Sequence, residues 1–554
     1  MNRASSAAVD AVSLGILWDR LISITNEIVQ TLVRTSFSTV ARENYDLSCV
    51  LFDRRGRSLA QGTMSVPVFI GTAPLTMKHM LERFPPEALR PGDVILTNDI
   101  WMGTGHLWDV NVMRPAFRDG RIVGYAMSIS HLPDIGGRGL SAINADMYEE
   151  GLQIPITKIV REGKMNDELV ELIRKNVRVP DQVIGDLMVN VAATEVGCRE
   201  LLAFMDEYGL EDLDPISDRV IEQSQAAMRK AIRQIPDGHY SHRINVEGFG
   251  APVELACTVT VEGERLAIDF AGTGPCVPAA INVPLCYTRA MAVYAIKALV
   301  LPNVPNNEGS VVPIDVAAPA NCILNAQPPA ATGARLLVGH FVQPLIFGAL
   351  ANALPNRVQG DPGMMSVLNV MGRDRQGRAF TTLFFSAGGF GALEGLDGTP
   401  TTPAPSNMMV MPTETWELAT GMRVVSRNLR IDSGGPGQYR GGLGQHIVLR
   451  NETGQAMTIF TVGTRTEFPA QGVCGGGPGS LRRYLLNGQD IHAKGRYEMR
   501  PGDVLEILEA GGGGYGDPRK RDRARIEEDL RQGFVTLQEA RAKYGYRPPA
   551  EQVA

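Results

Sequence analysis

The segment GTGHLWDV sets His106 and Asp109 three residues apart beside a Gly-rich turn, and AMSISHLPDIGG brings His131 to the end of a strand-like run. Two imidazoles and one carboxylate suit a first-row divalent ion such as Mn²⁺, Fe²⁺ or Zn²⁺ and leave positions open for water or substrate, as catalysis requires. The chain has only eight histidines, so two of them at turn–strand junctions stand out. A hydrogen-bonded histidine and a turn aspartate would satisfy the same spacing. Asp46, in RENYDLSCVLFD, opens another strand-like run and is a fourth candidate, unless it caps a turn. Asp134, three residues past His131, is a candidate carboxylate for orienting an imidazole.

Other chemistries find less support. A phosphate cradle needs GxxxxGK[ST], or GxGxxG between a strand and a helix, and neither occurs in that setting. GGGPGS at 475–480 and GGGGYGDP at 511–518 lack the Lys and the apolar helix of such a cradle, so they read as tight turns and close backbone approach. If ATP is used, another chain binds it. There is no GxSxG elbow, and no cysteine stands in a His/Asn context. The seven cysteines are scattered, without a CxxC pair and odd in number, which predicts reduced, mostly buried thiols.

The elements that must position these residues follow from periodicity. Leu14, Leu17, Leu21, Ile22, Ile28, Leu32 and Val33 predict a long amphipathic helix over 11–42. From 46 to 131 short β-like runs (LSCVLFD, DVILTND, IVGYAMSISH) predict a strand-rich core, and 165–235 returns to helix before Pro236-Asp237-Gly238. Alternation predicts a hairpin or meander over 242–275, with helices at about 285–301 and 336–353. Residues 360–515 read as Gly-rich with short strands, and a charged helix closes the chain. The fold class is α+β with mixed sheets in several layers. It divides into 1–165 (helix plus metal-site strands), 166–238 (helical), 239–360 (meander and helices) and 361–554 (Gly-rich β region with a final helix). No repeat of a solenoid or propeller is present.

At 44% apolar and 21% charged residues the composition is globular, and 554 residues are enough for several packed subdomains. A formal charge of −6 without any Lys/Arg run argues against nucleic-acid or anionic-membrane binding. Asp10, Asp19 and Arg20 interrupt any secretory core, and no apolar run reaches the roughly 20 residues that span a bilayer. The expected location is the cytoplasm.

The text resembles the hydantoinase B/oxoprolinase family along nearly its whole length. The resemblance is carried by SxxxxxRENYDLSCVLFDRRGRSLAQ (36–61), PGDVILTNDIWMGTGHLWDV (91–110), ISHLPDIGG (129–137), IDFAGT (268–273), DSGGPGQYRGGLG (432–444), and GGGGYGDPRKRD (511–522) with KYGY (543–546). It implies a hydantoinase B-like fold. It also implies a divalent metal on His106, Asp109 and His131, with Asp46 as a further ligand or general base and Asp134 in support. The family's partner is an A-type subunit of actin-like ATPase fold, in a heterotetramer or larger assembly, so ATP-Mg is expected there. The implied activity is ATP-dependent opening of a hydantoin, oxoproline or lactam ring, with the amide oxygen phosphorylated on the partner and attacked with metal assistance here.

Two other readings fit the same resemblance. One is the metal subunit of an acetone- or acetophenone-type carboxylase, which the length disfavours. The other is a non-catalytic scaffold for the A subunit, which the intact HxxD…H set disfavours.

Overall fold

The computed structural model describes residues 10–548. Helix Ala11–Thr35 buries Leu14, Leu17, Leu21, Ile24 and Ile28 on one stripe, and Asp10 caps it by accepting from the amides of Val12 and Ser13. The helix predicted to run to 42 breaks at Ser36 and resumes only as Thr39–Arg42. The amides of Phe37 and Ser38 are taken instead by Asp186 Oδ1, on helix Pro180–Glu207.

A seven-stranded sheet follows, in the spatial order Ser58–Gln61, Leu47–Asp53, Arg121–His131, Asp109–Arg118, Val94–Thr97, Thr157–Arg161, Lys164–Met165. Every neighbouring pair in it is antiparallel. Strand Leu47–Asp53 is buried throughout because both faces of the sheet are covered. Successive side chains alternate between faces. Leu47, Cys49 and Leu51 join the cluster of the first helix and Leu201 and Phe204, while Val50 and Phe52 join the cluster holding Met77 and Met127.

The stretch read as strands also contains a helix, Phe69–Arg83. Gly71, Thr72, Pro74 and Thr76 lower its intrinsic propensity, and packing overrides that. A Cβ at Gly71 would lie 2.5 Å from Ala290 Cα, so the helix sits backbone-close on helix Leu285–Val300.

Helices Asp167–Asn176, Pro180–Glu207 and Asp214–Ile232 lead to a four-stranded sheet built on Gly238–Val246, Val253–Glu262 and Arg265–Asp269. The last of these pairs in parallel with Ile314–Ala317, which makes the sheets mixed. Val50, Leu187, Val259, Ile296 and Val367 share one apolar cluster, so distant parts of the chain pack as one body.

The C-terminal region is richer in strand than its glycines suggest. Met365–Arg373 and Ala379–Ala387 pair along nine residues, and a five-stranded sheet follows. The run 510–516 passes between other glycine-rich segments. The amides of Gly512, Gly513, Gly514 and Gly516 donate to the carbonyls of Gly442, Asp361, Gly477 and Val473 at 2.8–3.0 Å. A Cβ on Gly512 would lie 2.1 Å from Phe390 O, and one on Gly513 2.0 Å from Gln471 O. These glycines therefore permit a core of backbone packed on backbone.

Candidate metal centre

Three neighbouring strands end together and bring the site residues to one edge. Asp109 opens its strand directly opposite His131, which ends the next. The His131 amide donates to Asp46 O at 3.0 Å, one residue before strand Leu47–Asp53 begins. His106 arrives from the preceding turn, where Gly105 has φ +94°, and a Cβ there would strike the Arg335 side chain.

The two imidazoles pack with ring centroids 5.2 Å apart. His106 is 4% exposed, Asp109 2% and His131 3%. One donor atom from each of the three lies within 4.8 Å of the other two. His106 Nδ1 is 3.3 Å from Gly333 O, which places its proton on Nδ1 and leaves the Nε2 lone pair free. His106 Nε2 and Asp109 Oδ1 approach to 2.9 Å, yet neither makes an aligned hydrogen bond, and His131 Nδ1 is also without a partner.

Buried polar atoms are normally satisfied, so three orphans on side chains that converge within 4.8 Å need an explanation. Two ligand atoms that would each lie about 2.1 Å from a shared ion can be no more than about 4 Å apart, and the His106–Asp109 approach meets that limit. The residues thus fit a divalent ion.

The electrostatics agree. Burial, reinforced by Arg335, holds the His106 pKa below its ordinary value. Burial, and then the neighbouring His106, pushes His131 down to about 3. Burial opposes ionisation of Asp109, but surrounding positive charge, including the Arg335 guanidinium that donates to Oδ2, holds the carboxyl well below the usual range. Neutral imidazoles beside an ionised carboxylate are the protonation states that bind a cation.

Asp46 lines the same pocket. Burial and then the charge of Asp109 raise its pKa well above the usual carboxylate value. Asp134 lies elsewhere. Its oxygens accept from the Arg178 amide, from Arg178 Nη1 at 2.7 Å and from the Gly136 amide at 3.2 Å. It clamps the loop after His131 and hydrogen-bonds no imidazole among the described residues.

Sequence reasoning missed Arg335. Its Nη2 donates to Asp109 Oδ2 and its Nε to Thr104 O, each at 3.0 Å, and its guanidinium stacks 4.4 Å from the Tyr287 ring centroid. It also missed Glu150 and His340; burial, then Arg335, pushes His340 down to about 3. A lone Arg in the run ATGARLLVGH, which holds no other Lys, Arg, Asp or Glu, was the available signal. Away from the metal ligands the wall of the pocket is mostly apolar, including Val66, Phe69, Met365, Leu383 and Phe385.

The sequence profile of the hydantoinase B/oxoprolinase family matches residues 10–518. The chain belongs to that family. Among hydantoinase B/oxoprolinase relatives, caprolactamase subunit beta of Pseudomonas jessenii is 29% identical over 97% of this chain and 96% of its own length. A 5-oxoprolinase, 5-oxoprolinase 1 of Arabidopsis thaliana, is 27% identical over 92% of this chain, which spans 42% of that longer protein. The crystal structure of ATP-dependent caprolactamase from Pseudomonas jessenii superimposes with a TM-score of 0.92 at 26% identity, covering 98% of this chain and 97% of that one. A nucleotide-free acetone carboxylase shares the family fold, with a TM-score of 0.88 at 18% identity, covering 97% of this chain and 80% of that one. Among the described residues no helix is long and apolar enough to cross a membrane.

Proposed function

We propose that this chain is the metal-carrying subunit of an ATP-dependent cyclic-amide hydrolase that acts with a hydantoinase A-type ATPase subunit. The observation that carries this reading is the convergence of His106, Asp109 and His131, each with an unpartnered polar atom, in the lining of a mostly apolar pocket. The likeness to caprolactamase subunit beta supports the substrate class.

An unstrained amide is a poor electrophile. On this reading the partner transfers the γ-phosphoryl group of ATP to the amide oxygen, giving an activated imidate and ADP. Water adds to that carbon, the C–N bond breaks as the ring nitrogen takes up a proton, and a second water releases phosphate from the ring-opened acid. His106, Asp109 and His131 hold the ion, which supplies Lewis-acid polarisation when bound. Arg335 fixes Asp109 Oδ2. Asp46, whose carboxyl makes no hydrogen bond among the described residues, is the group available to take or return a proton in the pocket. The apolar wall excludes water and accepts the ring methylenes.

The test is co-expression with an A-type subunit, followed by phosphate release on a panel of hydantoins, 5-oxoproline, lactams and a ketone with bicarbonate. Release that depends on a cyclic amide supports the reading. Release that depends on a ketone plus bicarbonate replaces it with a carboxylase, and no substrate-dependent release with any panel member leaves a scaffold.

A further inference from the structure

Glu150 is fully buried, at 0% exposure, and is not one of the three candidate ligands. Its Oε1 accepts the backbone N–H groups of Thr332 at 2.8 Å and Gly333 at 2.5 Å. Its Oε2 is buried without any partner. The carbonyl of the same Gly333 faces His106 Nδ1 at 3.3 Å. Gly333 is wedged in place: a Cβ there would come within 2.9 Å of Glu150 Oε1 and 3.0 Å of the Trp108 ring. One carboxyl oxygen thus fixes two consecutive peptides, and the second of them sets an imidazole.

We propose that Glu150 is a positioning residue for the metal centre, holding the Thr332–Gly333 peptides so that the Gly333 carbonyl keeps the His106 proton on Nδ1 and aims Nε2 at the ligand cluster. This rests on the metal reading above. Histidine ligands commonly donate their second ring N–H to a carboxylate or carbonyl that sets tautomer and orientation; here a carboxyl group acts through an intervening peptide. A role in packing alone would be better served by an apolar side chain, since an unpartnered buried oxygen is unfavourable.

The experiment titrates the metal-free full-length chain with Co²⁺, reading the dissociation constant by chelator competition and the visible absorption of bound Co²⁺, with a thermal melt of each metal-free variant alongside. Glu150→Asp keeps a carboxyl group but falls one methylene short of both amides. It is expected to weaken Co²⁺ about tenfold or more and to shift the absorption bands, and Glu150→Ala to weaken it about ten- to one-hundredfold. Glu150→Gln, which keeps an acceptor at Oε1, is expected to restore affinity to within about threefold of wild type and to restore the spectrum. Wild-type affinity and spectrum in Glu150→Asp overturn the proposal, as does a lowered melting temperature with unchanged Co²⁺ binding. If Glu150→Ala does not fold, the Asp and Gln variants decide. A wild-type chain that binds no Co²⁺ is a different failure, since it overturns the metal centre itself and this role with it.

Discussion

Arg335 Nη2 donates to Asp109 Oδ2 at 3.0 Å, so one oxygen of Asp109 is fixed while the other stays free 2.9 Å from His106 Nε2. Both side chains are almost wholly buried. Removing Arg335 leaves an uncompensated carboxylate in the core. Arg335→Ala is expected to destabilise the chain by about 3–5 kcal/mol, with Arg335→Lys intermediate because an ammonium cannot reproduce the bond to Thr104 O and the stack on Tyr287. Denaturant unfolding of both variants measures this, and wild-type stability in Arg335→Ala contradicts it.

The glycine bundle gives an opposed pair of substitutions. A Cβ at Gly512 would lie 2.1 Å from the Phe390 carbonyl, whereas Gly15 has nothing within 4 Å of its Cβ position and sits inside helix Ala11–Thr35. Gly512→Ala is expected to destabilise by about 3 kcal/mol or more, and Gly15→Ala to stabilise by about 0.5–1 kcal/mol. Thermal melts of the two variants should therefore move in opposite directions.

The strand-end geometry of the site was legible because LSCVLFD and IVGYAMSISH are short β-like runs set between Gly, Pro and Asp turns. Their ends, Asp46 and His131, meet because the strands are sheet neighbours. Helix Phe69–Arg83 was not legible, since its Gly, Thr and Pro content is unfavourable for a helix and contact with Leu285–Val300 supplies what propensity lacks. Arg335 and Glu150 were hidden for a different reason. Each reaches the site across more than a hundred residues of sequence, and no local pattern encodes such a contact. Asp134 shows the converse, since closeness to His131 in sequence suggested an imidazole partner and Arg178 claims it instead.

That placement of Asp134 has its own consequence. Asp134→Asn is expected to lower stability by about 1–3 kcal/mol, because Arg178 is partly exposed and its pairing is partly screened. Metal content should stay at the wild-type level. Parallel unfolding curves and metal analysis check both halves, and loss of metal at unchanged stability would return Asp134 to the centre.

Glu150 also sets a pH dependence. Burial raises its pKa to about 8 from an ordinary 4.5, against the two amides that favour the charged form. The folded state therefore holds a proton that the unfolded state releases. Its contribution is present in full below about pH 4.5 and is lost as pH rises through about 8. Glu150→Gln cannot ionise, so the gap in melting temperature between variant and wild type should shift in favour of the variant across that window. A gap independent of pH would contradict the assignment.

The central claim is that His106, Asp109 and His131 hold a divalent ion, and elemental analysis of the purified full-length chain tests it most directly. About one divalent ion per wild-type chain is predicted, with His131→Ala losing it while keeping a cooperative thermal transition. Equal metal content in wild type and His131→Ala would contradict the account.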